Sequence, residues 1–338
     1  MNQEKKTIQF IKKLPKADLH FHFEGAIPWR TIRRLHPEGR HFAKRPPWYK
    51  PDGFPSFAAF LDIFQDYVKP CLVSVDHYQA IATDIISWLR AQDIEYVEWN
   101  VSLKVMQTNN LPFLDVFRAL DQTIKSHNQA LKPRIKVVAG INREFPLAEK
   151  LRLLAEIETI PCIAGLDIHG WEKERDLEAD DSFFQRAKER NWKIKVHAGE
   201  LGGAQNVRFV IERFGISHIC HGARAIEDPS LLELIAQRQI FLELCPSSNL
   251  ALNVFPSVVS YPLRTMLQQG VKATINSDDP MIFNCNLNSE YALTTKMGLN
   301  FIDLAVLALN SIEAAIIPQT MKGKLQQTIM DCVCEADE

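Results

Sequence analysis

Ala17-Asp18-Leu19-His20-Phe21-His22-Phe23 is a short, largely apolar run carrying two histidines, and it breaks at Glu24-Gly25. A run of this length bounded by a turn signal reads as a buried strand. Residues two apart on a strand point to one side, so both imidazoles face the same way near its C-terminal end. Seven more runs repeat the plan: Tyr96 to Val101, Arg134 to Ile141, Ile163 to Ile168, Lys193 to His197, Ser217 to Cys220, Ile240 to Leu244 and Val271 to Ile275. Their ends carry His169-Gly170, Gly199-Glu200, His221-Gly222, Cys245-Pro246 and, after the last, Asn276-Ser277-Asp278-Asp279-Pro280. Most runs precede a helical pattern. Ser74 opens an amphipathic stretch to Arg90. Asp228-Pro229 sets a capping side chain before a first-turn proline, and Leu231, Leu232, Leu234 and Ile235 follow as a buried stripe.

Eight strands alternating with helices predict an α/β fold, a closed (β/α)8 TIM barrel, with a doubly wound open sheet as the structural alternative. Residues 1–338 read as a single barrel domain. The first two strands are far apart, so residues 28–93 form a helical and loop insertion. Ser56 to Val68 reads as a helix with Phe57, Phe60, Leu61, Phe64 and Val68 on one face. His36 to Pro55, with five prolines and two glycines, reads as irregular. On a barrel such an insertion sits over the active-site mouth, as a lid or as packed decoration.

The composition is 46% hydrophobic and 24% charged with a formal net charge of −2, an ordinary soluble globular balance. It excludes a globally basic surface for nucleic acid. No apolar run approaches the roughly 20 residues of a membrane span. Met1 to Lys13 is charged and lacks a signal-peptide core. The seven cysteines are scattered, with only Cys332 and Cys334 close together, and read as reduced thiols of a cytoplasmic protein. The outer helix faces cannot be told from core faces by pattern, so oligomeric state stays open.

His20, His22, His197, His221, Asp278 and Asp279 all fall at strand C-termini, the rim where this fold builds active sites. Singly, each has a plain reading as a core histidine or a helix cap. Together they suit a borderline cation with nitrogen and oxygen ligands and one open position. Zinc fits best, ahead of cobalt, manganese or iron.

At these residues the sequence resembles the adenosine deaminase-like family of metal-dependent hydrolases. The motifs are Leu14-Pro15-Lys16-Ala17-Asp18-Leu19-His20-Phe21-His22-Phe23-Glu24-Gly25, His197-Ala198-Gly199-Glu200, His221-Gly222, Leu244-Cys245-Pro246-Ser247-Ser248-Asn249 and Asn276-Ser277-Asp278-Asp279-Pro280, in the family's order. The resemblance implies a β/α barrel with one zinc per chain, held by His20, His22, His197 and Asp278. It implies a water at the open position, its pKa lowered toward about 7. It further implies that Glu200, with a raised pKa, is the general acid for a ring nitrogen. His221 would orient the attacking water or accept its proton. The implied substrate-binding positions are His22, Glu24, Gly170 and Asp279, with Asp279 and the Gly170 N–H on purine ring nitrogens. The implied reaction is hydrolytic deamination of a 6-aminopurine compound, by default adenosine to inosine plus ammonia. The partner is then a small-molecule purine or purine nucleoside, not nucleic acid or a membrane.

Several positions depart from the family pattern. Glu24 stands where adenosine-acting members usually carry a sugar-contacting aspartate, and a glutamate there is common in members acting on adenine. His169-Gly170-Trp171-Glu172 replaces Ala-Gly-Asp-Glu, and Trp171 reads as packing or as ligand stacking. Cys220 precedes His221 where glycine is common. Asp279-Pro280-Met281-Ile282-Phe283 and Glu290-Tyr291 look closer to the adenosine-acting members. Free adenine, an aminofutalosine-type nucleoside and an adenylate derivative are therefore alternative substrates. Arg30, Arg33, Arg34, Arg40, Lys44, Arg45 and Lys50 make the insertion basic, as a solvated face or a phosphate-tolerant mouth. Two other classes compete: a metal-dependent phosphoesterase, which more naturally holds two metals, and a non-catalytic barrel used as a binding module. The P-C-x-x-C of cytidine-type deaminases is absent.

Overall fold

The computed structural model describes residues 3–49, 53–127, 132–173 and 176–337. Its eight strands are β1 (Ala17–His22), β2 (Tyr96–Ser102), β3 (Arg134–Asn142), β4 (Ile163–His169), β5 (Lys193–Ala198), β6 (His218–His221), β7 (Phe241–Leu244) and β8 (Lys272–Ile275). They pair in chain order and all in parallel. Every bound falls within one residue of the sequence expectation. The strands are legible because they are buried almost throughout, β1 and β2 at every residue.

The seam between β1 and β8 is closed by residues just past β8. Asp278 N donates to His20 O at 2.8 Å, and His22 N donates to Asp278 O at 2.9 Å. Asn276 Oδ1 accepts from Leu19 N at 2.9 Å. The bonds that close the barrel therefore run through the residues that carry the candidate site. Below the rim the interior is partly ionic. Lys195 is fully buried, 3.2 Å from Glu98 and 3.4 Å from Glu243, and donates to the carbonyl of Leu19.

Between β1 and β2 stand helices Trp29–Leu35, Phe57–Ile63 and Val75–Arg90. Ser74 and Asp228 cap as expected, and Ser56 caps as well. Ser74 Oγ accepts from His77 N at 3.2 Å, Ser56 Oγ accepts from Ala59 N at 3.1 Å, and Asp228 Oδ1 accepts from Ser230 N at 3.0 Å. The helix expected from Ser56 to Val68 differs in two ways. It widens into a π-helical turn over Phe64–Val68. Its apolar stripe also does not serve the core alone: Phe57, Phe60, Leu61 and Phe64 line a cavity at the barrel end, and Leu61 is 40% exposed. The described residues of the 36–55 loop are irregular apart from a 3₁₀ turn at Gly39–His41. Tyr49 Oη donates to Met281 O at 2.7 Å, tying that loop to the one after β8. Lys50 lies outside the described residues. No described helix is long and apolar enough to cross a membrane.

Candidate active site

Strand alternation and barrel closure together bring the rim side chains into contact. His20 Nε2 and His22 Nε2 are 3.2 Å apart, and each is 3.4 Å from Asp278 Oδ1. His20 Nδ1 lies 3.4 Å from the carbonyl of Glu243, which leaves Nε2 free to point at the cluster. The His197 ring stands 4.7 Å from that of His20 and 5.3 Å from that of His22. Its Nε2 is turned to Asp167, 3.2 Å away. His197 also borders a second group with Glu200 and His221, in which His221 Nε2 is 3.4 Å from Glu200 Oε2. Asp278 and His221 have φ values of 60° and 66°. Side chains other than glycine rarely hold this left-handed backbone, and such positions concentrate at functional sites.

His22, His197, Glu200, His221 and Asp278 line a cavity of about 400 Å³ together with Glu24, Gly170 and Asp279. That volume suits a small organic ligand. Burial, reinforced by the nearby His197, holds His20 and His221 well below the ordinary histidine pKa, and His22 likewise. Neutral imidazoles offer lone pairs, the form that binds a metal. Burial, then Asp278 and Glu172, pushes Glu200 well above the ordinary carboxyl range, which favours its protonated form. Burial raises Glu24 to about 7, although its Oε1 accepts from Ser102 N at 2.9 Å. Burial and Asp278 also raise Asp279 strongly. Its Oδ1 is buried without a partner among the described residues. Gly25 is what leaves room for that carboxyl, because a Cβ at position 25 would fall 1.8 Å from Asp279 Oδ1. Gly170 has φ 115°, and a Cβ there would come within 2.8 Å of the Asn142 amide.

Three imidazoles and a carboxylate at one point fit a zinc ion by donor chemistry. His20, His22 and Asp278 converge directly, and His197 stands beside them.

Other side chains of the site carry weaker sequence marks. Asp167 holds His197, and it precedes His169 on β4 by the same two-residue step that separates His20 from His22. Although burial opposes it, His197 keeps the Asp167 carboxyl below the usual range. Glu172 is legible only as the last residue of His169-Gly170-Trp171-Glu172, and nothing local marks its role, because its partners lie some 27 to 34 residues away. Its carboxylate accepts from the N–H groups of Gly199 (2.8 Å), Glu200 (3.1 Å), Leu201 (2.9 Å) and Gly202 (2.7 Å), and from Asn206 Nδ2 (3.0 Å). Arg143 Nη1 donates to His197 O at 2.6 Å, with its other nitrogens on Asp176. Trp171 belongs to neither the core nor the cavity wall. It is 41% exposed and meets Phe57 edge-on, ring centroids 5.6 Å apart. None of Arg30, Arg33, Arg34, Arg40, Lys44 and Arg45 lines the cavity, and Arg34 is spent on Asp84 at 2.8 Å. The lysines on the wall are Lys69 and Lys104.

Comparison with known proteins agrees with this geometry. The family profile of adenosine deaminase matches residues 15–332. An adenosine deaminase of Erwinia tasmaniensis is 30% identical over 332 residues, 93% of this chain and 97% of its own. An adenine deaminase of Chlorobium luteolum is 27% identical over 322 residues, 93% of each chain. A solved amidohydrolase of Burkholderia ambifaria with bound zinc shares the fold, with a TM-score of 0.86 at 20% identity over 100% of this chain and 96% of its own. With a profile match from the first strand to the last helix, the chain belongs to the adenosine deaminase family, hydrolytic enzymes that act on C–N bonds of purines.

Proposed function

We propose that the chain hydrolyses the exocyclic C–N bond of a 6-aminopurine nucleoside, with adenosine as the reference substrate. The observation that carries this reading is Glu200, buried and 3.4 Å from His221, on one cavity wall with an imidazole and carboxylate cluster. In this reading His20, His22, His197 and Asp278 hold one zinc. Bound there, zinc supplies a Lewis acid that makes water a nucleophile at neutral pH. Glu200 gives its proton to the ring nitrogen beside the amino-bearing carbon, which makes that carbon electrophilic. His221 orients the attacking water and stabilises the charge that develops. The amino group leaves as ammonia and the oxygen of water takes its position. Asp279, whose Oδ1 has no partner among the described residues, pairs with an imidazole nitrogen of the purine. The Gly170 N–H meets another ring nitrogen. Residues 28–93 act as a lid on a single barrel domain, and Phe57, Phe60 and Phe64 keep water from the bound ring. All seven cysteines are free thiols, which supports a cytoplasmic setting.

Free adenine is the second reading, favoured by one observation: Glu24 Oε1 is already engaged by Ser102 N at 2.9 Å rather than open to a sugar. Ammonia release from adenosine and from adenine by zinc-loaded protein separates the two. In Glu200→Gln, turnover is expected to fall by about 10² to 10⁴ with zinc content unchanged at one per chain. Full turnover in that variant sinks the mechanism. Two zinc ions per chain with cleavage of a phosphate ester would replace the reading by a phosphoesterase.

A further inference from the structure

The cavity has a cationic end. Glu200 follows β5 and His221 ends β6, strands that lie across an eight-stranded barrel from β1 and β2. Lys69 closes the insertion's π-helical turn, and Lys104 stands two residues beyond Ser102 at the end of β2. Both line the cavity on the β1–β2 side. Lys69 is half-buried, and among the described residues its ammonium hydrogen-bonds only a neutral group, Gln65 Oε1, at 2.6 Å. Burial first, and then the charge of Lys104, lowers its pKa. Lys104 reaches Glu144 at 3.2 Å, where both side chains are well exposed to water. Two cations thus sit near enough to repel each other, and no carboxylate is bound to the more buried one. Asp62, the lid carboxylate on the wall, is exposed. The same cavity is apolar at Phe57, Phe60 and Phe64.

A bare purine leaves this end unused. When the amino-bearing carbon lies at Glu200, the opposite edge of the ring system, where a sugar is attached, faces β1 and β2. We infer that Lys69 and Lys104 form a subsite for an anion carried on the sugar side of the substrate, a phosphate or a carboxylate on an arm from the 5′ carbon. This rests on the deaminase reading above and names the substrate class within it. An anion there relieves the repulsion between the ammonium groups and makes charge-assisted hydrogen bonds to both. The aromatic wall accommodates an apolar arm between sugar and anion.

The test compares kcat/KM for four substrates: adenosine, adenosine 5′-monophosphate, 5′-methylthioadenosine and aminodeoxyfutalosine, whose arm is an aryl carboxylate. One of the two anionic substrates is expected to exceed adenosine by about 10- to 100-fold. In the Lys69→Gln/Lys104→Gln double variant, the ratio of anionic to neutral substrate is expected to fall by a similar factor. A preference for the monophosphate identifies a phosphate, and a preference for aminodeoxyfutalosine an aryl carboxylate. A preference for adenosine or 5′-methylthioadenosine overturns the subsite and leaves the deaminase standing. So does an anion preference that survives the double variant. No ammonia from any of the four, with zinc bound, overturns both.

Discussion

At the scale of single residues, the proton on Glu200 is the quantity the site is built to control. Three influences raise its pKa: burial, the neighbouring Asp278 and Glu172. Glu172 acts twice, because the carboxylate that repels a charge on Glu200 also holds the backbone of Gly199 through Gly202. An amide in its place removes the charge and turns an NH2 group toward backbone donors. Glu172→Gln is therefore expected to lower kcat more than it raises KM, and to cost about 1–3 kcal/mol of stability through donors left without an acceptor. The pH profile separates this from simple unfolding. Turnover needs Glu200 protonated, so it falls as pH rises through the raised pKa. With the Glu172 charge gone, that fall is expected at lower pH. An alkaline limb that does not move would show that Glu172 only braces the loop. His221 is set by a similar chain. Tyr261 Oη donates to Asn249 Oδ1 at 2.9 Å, which turns the Asn249 amide nitrogen to His221 Nδ1 at 3.5 Å. Neutral His221 then carries its hydrogen on Nε2, toward Glu200, as a donor that orients rather than a base.

At the scale of elements, helix Leu287–Thr295 docks on the short helix Pro246–Ala251 after β7 through one buried carboxyl. Glu290 accepts from Ser247 N at 2.9 Å and from the Ser247 hydroxyl. Burial outweighs these bonds and raises its pKa to about 7 from an ordinary 4.5. The folded state thus holds this proton more tightly than the unfolded chain. The stability it contributes is complete below pH 4.5 and is lost as pH rises through 7. Relative to Glu290→Gln, the protein is expected to lose about 3 kcal/mol between those limits. Chemical denaturation of both proteins at pH 4.5 and pH 8 measures it, and parallel pH curves would refute it. Glu290 also shows where sequence reading stops. The strands were legible to within a residue because apolar runs closed by Gly, Pro or Asp fix both period and end. The helix from Phe57 was legible in position but not in what it faces, because a 3.6-residue stripe looks the same against a core and against a cavity. The roles of Glu172, Glu290 and Arg143 left no trace, since their partners are brought to them only by the closed barrel.

At the scale of the whole molecule, the barrel has one unusual seam. Seven junctions join strand to strand, while β1 meets β8 through backbone bonds of Asp278 to His20 and His22. The side chains of these three residues are proposed zinc ligands, and the fourth, His197, comes from β5 on the far side. Lys195 is a second tie across the interior, from β5 to β1, β2 and β7. Bound zinc would therefore staple the seam on which the barrel closes, while the lysine keeps the strands together without it. Removing zinc is expected to loosen the structure at one place and not to open it. With free zinc a thousandfold above its Kd, binding adds about 4 kcal/mol, which chelation would convert into a fall in Tm of roughly 6 °C for a chain of this size. Amide exchange gives the finer reading. Protection should drop at Leu19 to His22 and at Asp278, and hold at the β2–β3 and β3–β4 ladders, which no proposed ligand spans. A Tm that ignores verified loss of zinc would deny the ligands their position across the seam. Exchange that rises equally in all eight strands would mean that the metal supports the fold as a whole rather than its closure.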